Sequence, residues 1–324
     1  MTLSAQLKST ISSIYKPRIR TKRSISNRDS SANLKNHLKT AVGTILSAHG
    51  RHYLVELNDS NVVLAYPGGR SEKYACGDIC EIEYNRSQGR IKSVTSRNTL
   101  LWRSDNFRQK LIAANVSLVL IVVATDLPIN TSLVIRCLLA AEEQDIDAKL
   151  IINKCDLGIP KAITEFKNEY EKLGYETLCL SAIDKETPLK TVINGESVVL
   201  VGQSGVGKST LTNQVVDRAH ARTAEISNKL RSGRHTTTHA QLYRINDTTS
   251  LIDCPGLQYF GLKHIKPEEL DSLFVEFRNI RDRCQFANCT HTVEPNCAIV
   301  DELKKGNLAE ARWLEYKKIL QEIK

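Results

Sequence analysis

The chain has 324 residues, of which 41% are hydrophobic and 25% charged, with a formal net charge of +9. This composition is typical of soluble globular domains and excludes a fibre or a largely disordered chain. No apolar run approaches the roughly 20 residues that a helix needs to cross a bilayer, and the N-terminus lacks the apolar core of a secretory signal. Together with nine cysteines, this favours a reduced compartment, and we expect a cytoplasmic protein.

Residues 1–39 are predicted to form a basic, flexible tail. The first 40 residues contain nine Lys or Arg and one acidic residue, so nearly all of the net charge lies there. The segment is rich in Ser and has no long apolar periodicity. Three interpretations remain open: an arm that binds RNA phosphates, a solvated leader with no specific role, or an organelle transit peptide.

Residues 40–98 are predicted to form a small β-barrel. Five short β-runs are separated by turn-forming residues: Val42–Leu46, Tyr53–Leu57, Val62–Tyr66, Ile79–Tyr84 and Arg90–Val94. An OB-fold that binds RNA is the leading candidate. Cys76 and Cys80 have no nearby His, and we interpret them as packing residues.

Residues 99–262 are predicted to form an α/β doubly wound domain after a connector at Ser96–Gln109. Apolar strands alternate with amphipathic helices along the segment. The predicted elements are strands Ser117–Ala124, Ala148–Ile152, Glu176–Leu180 and Ser197–Val201, and helices Leu133–Glu142 and Ala162–Leu173.

Residues 263–324 are predicted to form a third, small module with helices at Pro267–Arg281 and Leu308–Lys324. The fold class is therefore multidomain, with a barrel, a central α/β domain and a helical C-terminal module.

A phosphate-binding loop is predicted between the strand Ser197–Val201 and the helix that follows it. The segment has the pattern G-x4-G-K-S, in which backbone N–H groups and the helix N-terminus bind phosphates. Lys208 is expected to bridge the β- and γ-phosphates as a catalytic group, and Ser209 to ligate Mg²⁺. The predicted nucleotide-binding residues here are Gly202, Gln203, Ser204, Gly205, Val206, Gly207, Lys208, Ser209 and Thr210.

Two switch segments are predicted to follow this loop. In the D-x-P-G segment, Asp253 is expected to hold Mg²⁺ through water, and the Gly256 N–H to sense the γ-phosphate. The polar stretch Arg231–Thr238 fits a mobile first switch, in which Thr237 would close on Mg²⁺; a plain polar loop is the alternative.

Leu257 stands where a water-orienting Gln often follows D-x-P-G. Since an apolar side chain cannot position water, we expect slow intrinsic hydrolysis and activation by a partner. His235 is the best catalytic substitute, and a structural role for it remains open.

A guanine site is predicted from N-K-x-D at Asn153–Asp156, at the end of an apolar strand. Asp156 can accept the N1–H and 2-amino groups that adenine lacks, which selects GTP over ATP. Asn153 is expected to tie this loop to the phosphate loop, and the stem of Lys154 to lie across the base. Ser181 and Ala182 form the loop that would offer a backbone N–H to the guanine O6.

The order of these motifs is unusual. Phosphate loop, switches and base motif normally follow in that order, whereas here the base motif precedes the phosphate loop. The α/β domain is therefore predicted to be circularly permuted, and its second switch leads directly into the C-terminal module.

A structural zinc site is predicted in that module. Three thiolates and one imidazole lie within fourteen residues: Cys284, Cys289, His291 and Cys297. Four such ligands satisfy tetrahedral Zn²⁺ and leave no open position.

Over roughly residues 40–324, the sequence resembles the bacterial RsgA (YjeQ) GTPases. The resemblance rests on Gly202–Leu211, Arg234–Thr238, Asp253–Gly256, the upstream Asn153–Asp156 and the Cys/His pattern with Glu294-Pro295 before Cys297. It implies an OB-fold, a permuted GTPase domain, a zinc module, GTP hydrolysis stimulated by the small ribosomal subunit, and a role in late assembly of that subunit and its 16S rRNA. A scaffold with static GTP and a translational regulator on mature ribosomes remain alternatives, and a monomer is the default.

Overall fold

The structure is a computed structural model that describes residues 38–50, 52–69, 73–85, 88–104, 109–184, 187–216 and 239–324. The strands of these ranges are β1 (Lys39–His49), β2 (His52–Leu57), β3 (Val62–Tyr66), β4 (Ile79–Asn85), β5 (Gln88–Val94), β6 (Leu100–Ser104), β7 (Gln109–Ala114), β8 (Leu118–Ala124), β9 (Asp147–Asn153), β10 (Thr177–Cys179), β11 (Ser197–Val201), β12 (Gln241–Arg244) and β13 (Ser250–Asp253). The helices are α1 (Thr131–Glu143), α2 (Lys161–Lys172), α3 (Leu189–Val192), α4 (Lys208–Val215), α5 (Leu270–Leu273), α6 (Ala298–Lys304) and α7 (Glu310–Ile323), with 3₁₀ turns at Cys155–Leu157 and Arg281–Arg283.

Strands β1 to β5 form the closed barrel that the sequence predicted. Their order is β1-β2-β3-β5-β4, and β4 pairs back onto β1. Strand β1 is eleven residues long, which lets its first half pair with β4 while the rest pairs with β2. The interior of the barrel is filled by alternating apolar residues such as Ile45, Val55, Ile82 and Ile91, all with no exposed surface. Cys76 and Cys80 are both buried free thiols.

The central sheet has the order β10-β9-β8-β11-β13-β12, and only β12 runs antiparallel to its neighbour. All seven residues of β8 are buried, as a parallel strand covered on both faces requires. The carboxyl ends of parallel strands meet at one edge of a sheet. That edge carries Asn153 at the end of β9, Gly202 directly after β11 and Asp253 at the end of β13.

The barrel adjoins this sheet through its first strand. Ser47 of β1 bridges to Gln241 of β12, and the Arg244 side chain bonds Glu56 and the hydroxyl of Thr44. The two sheets therefore form one hydrogen-bonded surface. Among the described residues, no helix is long and apolar enough to cross a membrane.

Two sequence predictions were wrong, one about a connector and one about a helix. The connector expected at Ser96–Gln109 contains β6 and leads into β7, which pair antiparallel. Leu101 and Ile112 are buried in the core, so the pair has the inward-facing apolar residues of a hairpin.

The helix expected at Pro267–Arg281 is reduced to the single turn α5. The backbone is extended at Phe274, with φ −81° and ψ 105°. This break turns the rings of Phe274 and Phe277 into the core, where their centroids lie 5.1 Å apart and both contact Tyr316. Aromatic packing therefore overrides helix propensity here. The helix predicted at Leu308–Lys324 is present as α7, whereas α6 was not predicted.

Candidate functional site: a guanine-nucleotide pocket and a Cys/His cluster

The phosphate loop connects β11 to α4 at the carboxyl edge of the sheet. Gly207 is the N-cap of α4, with φ 94°, a conformation that residues with a Cβ rarely adopt. A Cβ at Gly207 would also collide with the amide of Asn153. Val206 is buried, whereas Ser204, Gly205, Ser209 and Thr210 are exposed. The loop thus presents its backbone and the first turn of α4 to the surface.

Lys208 lies folded over this loop. Its Nζ donates to the carbonyl oxygens of Gly202 at 3.0 Å and Gln203 at 2.9 Å. Burial lowers the pKa of this ammonium, an effect that the nearby Asp253 carboxylate opposes. A partly desolvated cation here attracts phosphate oxygens more strongly than a solvated one. Gln203 itself is held by a bond from its Nε2 to the Pro128 carbonyl at 3.2 Å.

The D-x-P-G segment packs directly on the phosphate loop. The Ser209 hydroxyl donates to Asp253 Oδ2 at 3.0 Å, and the Leu257 N–H donates to the Gly202 carbonyl at 3.0 Å. A Cβ on Gly256 would lie 2.7 Å from the Cα of Ser204, so only glycine fits. Hydroxyl and carboxylate oxygens are the hard ligands that Mg²⁺ prefers, and the residues present fit that ion.

A single buried amide ties the predicted guanine loops together. Asn153 has no exposed surface; its Nδ2 donates to the Val206 carbonyl at 2.8 Å, and its Oδ1 accepts from the Ala182 N–H at 3.0 Å. Asp156 accepts a 2.6 Å hydrogen bond from the Ser181 hydroxyl. Asn153 therefore brings N-K-x-D, the Ser181–Ala182 loop and the phosphate loop to one place.

Two residues of this site were not identified from the sequence. After β8, the Thr125 hydroxyl donates to the Lys154 carbonyl at 2.7 Å, and Lys154 Nζ bonds Asp126 at 2.8 Å. Lys154 itself has φ 64°, which these contacts stabilise. The sequence held one indication of these two residues, because Thr125 and Asp126 are a polar pair directly after the wholly apolar strand β8.

Leu257 is buried, with 6% of its surface exposed. It packs in the main hydrophobic core together with Phe260 and Cys254. The predicted first switch at Arg231–Thr238, with His235 and Thr237, lies outside the described residues, as do residues 1–37 of the basic tail. Their roles stay predictions.

The four Cys/His ligand atoms form a compact cluster, all within 4.8 Å of one another. Cys284 Sγ lies 3.5 Å from His291 Nδ1 and 3.9 Å from Cys297 Sγ, and Cys297 Sγ lies 3.6 Å from the same nitrogen. Tetrahedral zinc, with bonds of about 2.3 Å to sulfur and about 2.0 Å to nitrogen, places two sulfurs about 3.8 Å apart and sulfur and nitrogen about 3.5 Å apart. The donor set fits zinc, and the three distances among Cys284, His291 and Cys297 match its spacing.

Residues around this cluster fix its ligand loops. The other ring nitrogen of His291 lies 3.3 Å from Asp271 Oδ2, the carboxylate contact that orients many metal-binding histidines. Burial opposes charge on Glu294, but hydrogen bonds from Thr290 and from backbone N–H groups lower its pKa to about 2. Glu294 therefore closes the loop between His291 and Cys297 as a carboxylate.

Comparison with known proteins agrees with this arrangement. The family model described as RsgA GTPase matches residues 94–263. The "Small ribosomal subunit biogenesis GTPase RsgA" of Burkholderia pseudomallei (strain 1710b) is 42% identical over 292 residues, which are 87% of this chain and 92% of that protein. The protein of that name in Neisseria meningitidis serogroup C is 42% identical over 269 residues, 83% of this chain and 88% of its own.

Two solved structures share the fold. YjeQ from Thermotoga maritima aligns with a TM-score of 0.65 and 27% identity, covering 88% of this chain and 99% of its own. YloQ, described as a circularly permuted GTPase, aligns with a TM-score of 0.62 and 24% identity, covering 90% of this chain and 98% of its own. The order of β9 before β11 in this sheet is the permuted order, and the chain belongs to the RsgA GTPase family, whose members are hydrolases acting on GTP.

Proposed function

We propose that this protein couples GTP hydrolysis to a late step in the assembly of the small ribosomal subunit, where it contacts 16S rRNA as a monomer in the cytoplasm. The proposed GTP binding rests on the two hydrogen bonds by which the Asn153 side chain joins a guanine loop to a phosphate loop. The assembly part is supported by the names of the relatives, which are 42% identical over most of their length.

In this proposal each loop binds one part of GTP. Asp156 accepts hydrogen bonds from the guanine edge, and the Ser181–Ala182 loop faces the guanine O6, while the Ala182 N–H stays bonded to Asn153 Oδ1. Lys208 leaves the carbonyls of Gly202 and Gln203 to bind the β- and γ-phosphates, because an anion satisfies its charge better than a neutral carbonyl does. Gly256, which packs on Ser204, senses the γ-phosphate.

Ser209 and Asp253 would hold Mg²⁺, together with Thr237 of the first switch. When bound, that ion would neutralise phosphate charge during hydrolysis. Leu257 is buried and cannot orient water, so we assign that task to His235 of the first switch when the protein is bound to the ribosomal subunit. Intrinsic turnover should therefore be slow, with the subunit as activator.

Cys284, Cys289, His291 and Cys297 would hold one structural Zn²⁺, which would supply folding free energy to residues 263–324. The barrel of residues 40–98 and this module would contact RNA from the two ends of the GTPase domain of residues 99–262. The basic tail of residues 1–39 would add phosphate contacts that depend on salt but not on base sequence.

The decisive experiment measures GTP turnover by the full chain alone, with small subunits and with large subunits. We expect small subunits to raise turnover by at least about 100-fold, a modest fraction of what partner activation achieves in other GTPases. Equal GTP turnover with and without small subunits would refute the proposal. His235→Ala should abolish most of the stimulation without changing GDP affinity.

The burial of Leu257 also favours a second candidate, an assembly scaffold that holds GTP statically. Single-turnover measurements on small subunits separate the two, because a scaffold binds GTP without releasing phosphate. A translational regulator would bind mature small subunits as tightly as immature ones, whereas an assembly factor should prefer the immature particles.

A further inference from the structure

The segment after Gly256 is hydrogen-bonded to helix α1 and its N-cap at three positions. Each attachment joins a side chain on the helix, or at its N-cap, to a residue of the segment. They are Asn130 Nδ2 to the Gln258 carbonyl at 3.2 Å, Arg136 Nη1 to the Tyr259 hydroxyl at 3.0 Å, and Glu143 Oε2 to His264 Nε2 at 2.9 Å. The path of the chain downstream of the second switch is therefore set by α1.

The middle attachment also involves the C-terminal helix. Arg136 has no exposed surface, and its guanidinium lies 4.7 Å above the ring of Tyr259. Its Nε donates to Glu315 at 2.6 Å, and its Nη1 and Nη2 donate to the two carboxylate oxygens of Glu322 at 2.7 and 2.9 Å. Both glutamates belong to α7, so one buried cation holds the switch segment and α7 together.

The Tyr259 hydroxyl completes this arrangement. It accepts from Arg136 and donates to Glu322 Oε2 at 2.7 Å. Burial, together with the adjacent Glu322 carboxylate, raises the pKa of Tyr259 to about 12, so the hydroxyl keeps its proton at neutral pH. Tyr259 cannot move away without removing a hydrogen bond from each of its two charged partners.

We infer that Arg136, Tyr259 and Glu322 form a latch that transmits the nucleotide state from Gly256 to helix α7. This inference rests on the proposed role of Gly256 as the γ-phosphate sensor. Only two residues separate Gly256 from Tyr259, and the first of them, Leu257, is bonded to the phosphate loop. In this inference a shift at Gly256 reaches Tyr259 through Leu257 and Gln258.

Helix α7 carries the signal on to the Cys/His cluster. Trp313 Nε1 donates to the His291 carbonyl at 2.9 Å, and the Tyr316 hydroxyl donates to the Thr290 carbonyl at 3.0 Å. Contacts thus run without a gap from the phosphate loop to the loop that contains His291. In this inference Tyr259 is bonded to Glu322 in one nucleotide state, as in this structure, and withdrawn from it in the other, since coupling between distant sites requires two discrete arrangements.

Hydrogen exchange of the full chain tests the latch, with GDP and with a non-hydrolysable GTP analogue. We expect amide exchange in α7 to differ between the two states by about fivefold or more, the low end of typical coupling. Tyr259→Phe and Glu322→Gln should abolish this difference while Gly256 still responds to the nucleotide. They should also change the ratio of GTP-analogue to GDP affinity, which a purely structural role would leave constant.

The matched control is Tyr175→Phe, which also deletes a tyrosine hydroxyl bonded to a glutamate, at 3.0 Å from Glu142, but does not touch the switch segment. It should keep the nucleotide-dependent difference in α7. If Gly256 responds and α7 does not, or if Tyr259→Phe retains the α7 difference, the latch is refuted and the proposed function stands. Equal exchange at Gly256 in both states would instead refute its sensing role, and the latch with it.

Discussion

Replacing Asn153 by alanine removes a buried side chain that hydrogen-bonds both the guanine loop and the phosphate loop. Two hydrogen bonds disappear, to the Val206 carbonyl and from the Ala182 N–H, and both of these partners belong to buried residues. A hydrogen bond contributes about 0.5–1.5 kcal/mol, and a buried group left without its partner costs about 1–3 kcal/mol. We expect a total loss of about 2–4 kcal/mol.

If this loss falls on the nucleotide site, the Kd for GDP should rise by roughly 30- to 1000-fold, since about 1.4 kcal/mol corresponds to a factor of ten. Titration with a fluorescent GDP analogue measures that change. Thermal unfolding with and without GDP shows how much of the loss appears in the empty protein.

Asn246→Ala is the matched control. The Asn246 side chain likewise makes two hydrogen bonds to the backbone, here both accepted by its Oδ1 from the N–H groups of Thr248 and Thr249, in a turn between β12 and β13. It should lower stability slightly and leave GDP affinity unchanged. A folded Asn153→Ala protein whose Kd stays within about threefold of wild type would refute the reasoning.

Three further predictions concern other parts of the structure. Gly256→Ala places a Cβ 2.7 Å from the backbone of Ser204, so subunit-stimulated GTP turnover should fall at least about tenfold while GDP affinity changes little; normal turnover would contradict the packing argument. Cys297→Ser should reduce bound zinc, measured by elemental analysis, to well below one ion per chain and lower the Tm without altering GDP affinity, whereas unchanged metal content would exclude the site. Burial raises the pKa of Glu169, and the nearby Arg312 only partly offsets this effect. The native state therefore binds the Glu169 proton more tightly than the unfolded state does. The free energy of unfolding falls as the pH rises from the unfolded-state pKa through the native-state pKa of this group. Glu169→Gln should raise the denaturation midpoint at pH 7 and have little effect near pH 4, and an equal effect at both values would refute this assignment.

Local patterns were enough to predict which motifs meet at the candidate nucleotide site, because each motif is short. N-K-x-D and the phosphate loop each place their groups within eight residues, directly after an apolar strand. The topology of parallel strands then brings them to one edge without further information. The strands of the barrel were predictable for the same reason, since alternation and turn residues are read over short windows.

Arg136 could not be found in this way. It lies inside the apolar run of α1, and its partners Glu315 and Glu322 are 179 and 186 residues further along the chain. No local pattern encodes such a contact. The shortened helix α5 has a similar cause, because the break at Phe274 depends on Tyr316, a residue of another element.

The bridge between Ser47 and Gln241 places the barrel against the edge of the central sheet. Strand β12 is the edge strand of the GTPase sheet, and an uncovered edge strand offers unpaired N–H and C=O groups to other chains. The barrel covers part of that edge. A truncated GTPase domain without its barrel should therefore self-associate through β12, and loss of solubility in such a fragment would reflect an exposed sheet edge rather than a misfolded nucleotide pocket.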